Sequence, residues 1–169
     1  MQNQKLIVIT GNQLSHKYFI NQLNKHFNLS AVFIEHFEYP IPNFKTDDEE
    51  KVWNEFFFFR KKTEDKLLHF SSRNSTLNRP MFFNIEKGAL NNNETLQSIS
   101  SFNPTKIIIF GTSLLQAKYL EIFPNCIFNL HVGLSQYYRG SSCNFWPIYD
   151  LRPNLIGATI HFVSAGIDD

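Results

Sequence analysis

The sequence predicts an α/β fold, a mostly parallel sheet with helices on both faces. Three observations carry the prediction. Residues 5–10 (Lys-Leu-Ile-Val-Ile-Thr) and 106–110 (Lys-Ile-Ile-Ile-Phe) are short apolar runs that stop at Gly11 and Gly111, the form of central strands covered on both sides. Between such runs lie segments whose apolar residues recur at helical spacing. The strand-helix-strand connections are short, which favours right-handed crossovers within one sheet.

Taken in order, residues 5–10 form the first strand. From Ser15, a fitting N-cap, the segment to Phe27 sets Phe19, Leu23 and Phe27 at four-residue spacing with polar residues between, a helix. Residues 29–34 read as a second strand and complete a β-α-β unit. The Gly11-Asn12 turn has one glycine without a second or third, so it reads as a tight strand-to-helix turn and not as a dinucleotide fingerprint. Residues 35–70 leave the alternating scheme. Tyr39-Pro40-Ile41-Pro42 forbids regular helix, residues 47–50 are acidic, and the rest is dense in Phe, Lys, Glu and Leu, an excursion holding one or two helices. The consecutive Phe56, Phe57, Phe58 and Phe59 cannot share one helix face. Core packing is their default use, with a lid and a dimer contact as the other readings.

Residues 79–85, with Met81, Phe82 and Phe83, read as a short strand ended by Gly88 and the turn-prone Asn91-Asn92-Asn93. Residues 94–102 place Leu96, Ile99 and Phe102 at three-residue intervals, a short helix that stops before Asn103-Pro104. After the strand at 106–110, Ser113 is placed to cap a helix presenting Leu115, Tyr119, Ile122 and Phe123 and ending at Pro124. Residues 126–140 begin as the next parallel strand. Residues 144–149 look like a helical turn. Residues 157–163 alternate Thr159, His161 and Val163 against Ile160 and Phe162, a last strand.

At 169 residues the chain fits one domain able to bury its own core. A formal net charge of +1 gives no basic field for nucleic acid or an acidic membrane surface, so small-molecule partners are favoured. Cys126 and Cys143 lack metal-ligand spacing and are too few for a disulfide scaffold, which suits a reducing cytoplasm. No apolar run approaches membrane-spanning length, and residues 1–5 lead straight into a strand, so a soluble, unexported protein is expected. The 18 phenylalanines can fill a core or leave an aromatic surface.

Chemistry concentrates in residues 126–140, where a buried strand becomes a glycine-bounded polar loop. Asn129 and His131 are two apart on that strand and point to one side. An amide donor beside an imidazole suits polarisation with general acid-base work. Taken alone, the triplet favours the plainer reading, a strand-end histidine satisfied by a loop carbonyl. Its surroundings decide the matter.

From residue 106 to 169 the chain resembles the N10-formyltetrahydrofolate-dependent formyltransferase family. The matching blocks are Asn129-Leu130-His131, Tyr138-Arg139-Gly140, Gly157-Ala158-Thr159-Ile160-His161-Phe162 and Gly166-Ile167-Asp168, in the family's order. The first two strands match only at the level of fold. The resemblance implies a Rossmann-like domain of the formyltransferase N-terminal type spanning residues 1–169, truncated at its C-terminal end, with relatives adding a further strand. It implies Asn129, His131 and Asp168 as the catalytic trio and N10-formyltetrahydrofolate as co-substrate. Gly111, Thr112, Ser113 and Leu114 would lie on the folate side, and Tyr138, Arg139 and Gly140 on the acceptor side. His161 falls where some relatives carry histidine, in the strand core or behind the site. The chain departs from the family at Gly133-Leu134-Ser135-Gln136, where members often have Ser-Leu-Leu-Pro.

Among acceptors, glycinamide ribonucleotide enzymes look to need a Gly-Ser-Asn turn that Gly11-Asn12-Gln13-Leu14-Ser15 lacks. Methionyl-tRNA enzymes add a C-terminal domain and a basic surface. The loop at 134–141, with Asn144-Phe145-Trp146-Pro147, looks more like sugar-directed members, so the expected acceptor is a nucleotide-linked amino sugar of surface polysaccharide synthesis. The other class that fits is an inactive folate- or nucleotide-binding module. A homodimer is suggested only by the phenylalanine run.

Overall fold

The computed structural model describes residues 5–36, 41–68 and 79–166. Six strands form one sheet: β1 (Leu6–Gly11), β2 (Leu29–Glu35), β3 (Met81–Ile85), β4 (Lys106–Phe110), β5 (Ile127–His131) and β6 (Thr159–Phe162). Their order across the sheet is β3-β2-β1-β4-β5-β6. All neighbours run parallel except β5 and β6. The expected mostly parallel α/β sheet is present. β6 is antiparallel because the chain returns from β5 through a loop and two short turns, with no long crossover helix.

The apolar runs become strands because alternate residues bury on opposite faces. On one face Ile7, Ile9, Ile107, Ile109 and Ile127 pack under α3 (Asn93–Ser101) and α4 (Ala117–Ile122), joined by Leu96, Ile99 and Tyr119. On the other, Val8, Leu29 and Val32 receive Ile20 of α1 (Leu14–His26). Both-face burial is what the unbroken apolar runs required.

Several local expectations are corrected. Gln13, not Ser15, is the N-cap of α1, in a capping-box arrangement with His16, whose Nδ1 accepts the Gln13 amide at 3.1 Å. Ser113 caps nothing. Its N–H and O–H both donate to the Glu35 carboxylate, at 2.8 and 2.7 Å, while the Asn91 side chain bonds the Leu114 carbonyl and the Gln116 amide, each at 2.9 Å. Pinned at both ends, residues 111–116 stay outside the helix, and α4 starts only after Gln116.

The excursion holds one described helix, α2 (Asp47–Leu68). Trp53 on α2 is buried and meets Phe57 at 4.3 Å and Phe145 at 4.8 Å, with Phe145 immediately before α5 (Trp146–Tyr149). Phe56 also packs on Phe145, at 5.2 Å. The phenylalanine run therefore divides as helical geometry demands: Phe56 and Phe57 join this aromatic cluster, while Phe58 and Phe59 are 65% and 60% exposed. Among the described residues no helix is long and apolar enough to cross a membrane.

Candidate active site

β1, β4 and β5 are parallel neighbours, so the loops after Gly11, Phe110 and His131 share one edge of the sheet. In open α/β sheets that edge is where ligands are held. β5 turns Asn129 and His131 to the same face as buried Ile127. β6 then sets His161 opposite Asn129, and Thr159 opposite His131. Four polar side chains thus stand together on one face of a two-strand ladder.

Hydrogen bonding fixes their orientation. Nδ1 of His161 lies 2.9 Å from the Phe162 carbonyl oxygen, which can only accept, so Nδ1 carries the hydrogen. In the neutral ring Nε2 is then the acceptor, and the Asn129 amide nitrogen, 3.2 Å away, donates to it. The Asn129 amide is thereby oriented. Nε2 of His131 lies 3.0 Å from the Tyr138 carbonyl oxygen and must donate to it. That bond is compatible with both the neutral Nε2–H tautomer and the imidazolium. It is also the loop-carbonyl contact that the plainer reading of a strand-end histidine requires.

The loop after His131 is folded back by contacts that sequence reasoning missed. Thr159 Oγ1 donates to the Gly133 carbonyl at 2.8 Å and accepts the Ser135 amide at 3.1 Å. A Cβ on Gly133 would fall 2.5 Å from Cys143 Cβ and 2.6 Å from His131 Nε2. The backbone reaches the imidazole only because glycine is there. Arg139 Nε donates to the Ser135 carbonyl at 2.8 Å, and the Tyr138 hydroxyl donates to Asp150 at 2.9 Å. Burial and then the Asp150 bond raise the Tyr138 pKa, which keeps the phenol a donor.

On the proposed folate side, Asn129 pairs with Ile109, so the loop that begins at Gly111 starts beside the amide. Ser113 is committed to Glu35, Thr112 Oγ1 donates to the Ser113 carbonyl at 3.0 Å, and the Leu114 side chain is 67% exposed. Glu35 is fully buried. Its one sequence signal was a carboxylate ending an apolar strand. Asp168 lies outside the described residues, so the structure brings Asn129 and His131 together and leaves the third predicted member unplaced. Among the described residues no group of His, Cys, Asp and Glu could hold a metal ion.

Fold and site together define a doubly wound α/β protein with an amide and imidazoles at the end of β5. No protein-family model and no curated protein matches the sequence. Solved structures do match the fold. A glycinamide ribonucleotide transformylase from Symbiobacterium toebii superposes with TM-score 0.60 and 13% identity, over 99% of this chain and 70% of its own. A phosphoribosylglycinamide formyltransferase from Anaplasma phagocytophilum gives 0.64 and 15%, over 99% and 68%. A formyltetrahydrofolate deformylase from Pseudomonas syringae pv. tomato gives 0.59 and 10%, over 98% and 47%. The chain therefore has the Rossmann-like fold of these formyl-handling enzymes.

Proposed function

We propose that this chain transfers a formyl group from N10-formyltetrahydrofolate to a primary amine, and that the amine belongs to a nucleotide-linked amino sugar. The observation that carries the reading is the convergence of Asn129 and His131 at the end of β5, with His161 orienting the Asn129 amide. The motif order and the shared fold support it. The folate supplies an activated formyl carbon: the amine nitrogen bonds to it, its bond to N10 breaks, and one amine proton ends on N10.

The residues present fit that group. Residues 111–116 form a pinned loop beside Asn129, with the exposed Leu114 side chain offering an apolar surface for a flat ring. The Asn129 amide, oriented by His161, is the donor offered to a developing oxyanion, and the Nε2 hydrogen of His131 would join it only on leaving the Tyr138 carbonyl. Asp168, by resemblance, would be the third member and would orient the His131 ring. Tyr138, Arg139 and Gly140, together with exposed Tyr137, give the acceptor side a ring surface and a guanidinium suited to a sugar nucleotide.

The acceptor is tested by a formyl-transfer screen with nucleotide-linked amino sugars, glycinamide ribonucleotide and methionyl-tRNA. The sugar nucleotide should react fastest, and preference for either of the others removes that assignment. The His131 contact to a loop carbonyl favours a second reading, a folate-binding module without turnover. Thermal stabilisation by a folate analogue with no transfer to any amine would establish it.

A further inference from the structure

The sheet order reverses between β1 and β4, with β2 on one side of β1 and β4 on the other. In doubly wound sheets that crevice, at the N-terminus of the first helix, is where a phosphate is ordinarily cradled. Here it is filled from within. A Cβ on Gly11 would lie 2.5 Å from His16 Cε1 and 2.8 Å from the Gly111 carbonyl oxygen, so the imidazole and the β4 loop close directly over the turn. The His16 ring accepts the Gln13 amide, which removes from the helix start a donor that an anion would use. Asn12 is drawn toward His36 at the end of β2, 3.4 Å away. Thr10 Oγ1 donates to the Phe110 carbonyl at 2.7 Å and ties the two strand ends together.

Charge works in the same direction. Glu35, the register partner of Gly11, reaches past the end of β1 to hold Ser113 and buries a carboxylate in the crevice wall. A phosphate dianion would meet that charge in a poorly solvated place, where repulsion is weakly screened. His16 offers no compensating charge, because burial and then Arg60 lower its pKa to about 4. Arg60, whose charge acts on His16, has its Nε on Glu64 at 2.7 Å.

We infer that His16 and Glu35 make this crevice reject phosphate, so that the acceptor is an amine that places no phosphomonoester at the β1 turn. The inference rests on the formyl-transfer reading for the word acceptor, but the closed crevice is a property of the chain itself. It makes His16 and Glu35 specificity determinants outside the Asn129–His131 pair.

The test is a titration of the full chain with inorganic phosphate, followed through the backbone amide resonances of residues 11–16. Wild type should show no saturable shift. His16→Ser, which uncovers the Gln13 amide, should show a saturable shift where wild type shows none, and adding Glu35→Gln should tighten that binding about tenfold. Saturable binding at these amides in wild type overturns the inference, and that arm requires no variant to fold. Variants that fold and still show no gain over wild type also overturn the roles of His16 and Glu35. A parallel screen separates the two readings: transfer to no amine at all defeats the formyl-transfer proposal while the phosphate titration still stands. Transfer to glycinamide ribonucleotide faster than to amines without a phosphomonoester upholds formyl transfer and defeats this inference.

Discussion

Two buried histidines stand at the same edge of the sheet, His16 after β1 and His131 at the end of β5, and both bond the backbone of a neighbouring turn. The direction of the bond separates them. His16 accepts an amide hydrogen through Nδ1, so that nitrogen has no lone pair left for a proton, and burial holds the ring neutral. His131 donates through Nε2 to a carbonyl, an arrangement that survives protonation of the ring. Burial of a histidine at a strand end therefore does not mark it as catalytic. The direction of its backbone bond decides instead whether the ring can take a second proton without losing that bond.

The largest effect expected from breaking this contrast is on turnover. Asn129→Ala and His131→Ala should each lower kcat for formyl transfer by about 10²–10⁴-fold, with circular dichroism unchanged. Wild-type rates in both variants would make His131 as structural as His16.

The next effect is on stability and belongs to His16. Its pKa is about 4 in the folded chain against 6.5 for the free side chain. Between those values the unfolded chain binds a proton that the native one excludes, so stability must fall as pH drops from about 6.5 toward 4. At full displacement this single group accounts for about 3 kcal/mol. Urea midpoints of wild type and His16→Leu, compared at pH 7 and pH 4.5, should show the variant losing less. Equal losses would mean that His16 is not held neutral.

A smaller effect sharpens the comparison from the loop side. Thr159→Val removes the hydroxyl that joins the Gly133 carbonyl and the Ser135 amide, costing about 1–2 kcal/mol of stability. Because that hydroxyl holds the loop over His131, kcat should also fall, about tenfold, while folate-analogue affinity stays near wild type. Unchanged kcat would show that the loop keeps its place without Thr159.

The order of elements was legible because apolar runs and helical spacing are local signals, and every expected strand is present. Asn129 and His131 were legible for the same reason, since strand periodicity alone puts them on one side. What was missed is long-range. Ser113 looks like a helix cap until Glu35, 78 residues earlier, takes both its donors. His16 reads as an ordinary polar position on α1, and only the closeness of Gly11 shows that its ring fills a turn. The phenylalanine run was correctly read as unable to face one way, but its division depended on where Phe145 would lie.

β6 is short and is the last strand of the sheet among the described residues, yet it supplies both His161 and Thr159. Marginal strands open by local unfolding far more often than a whole domain unfolds. Each such opening would release the Asn129 amide and the loop over His131 in the same instant. The lifetime of an assembled site is then set by how long one four-residue strand stays zipped, and amide hydrogen exchange along β6 would measure it directly.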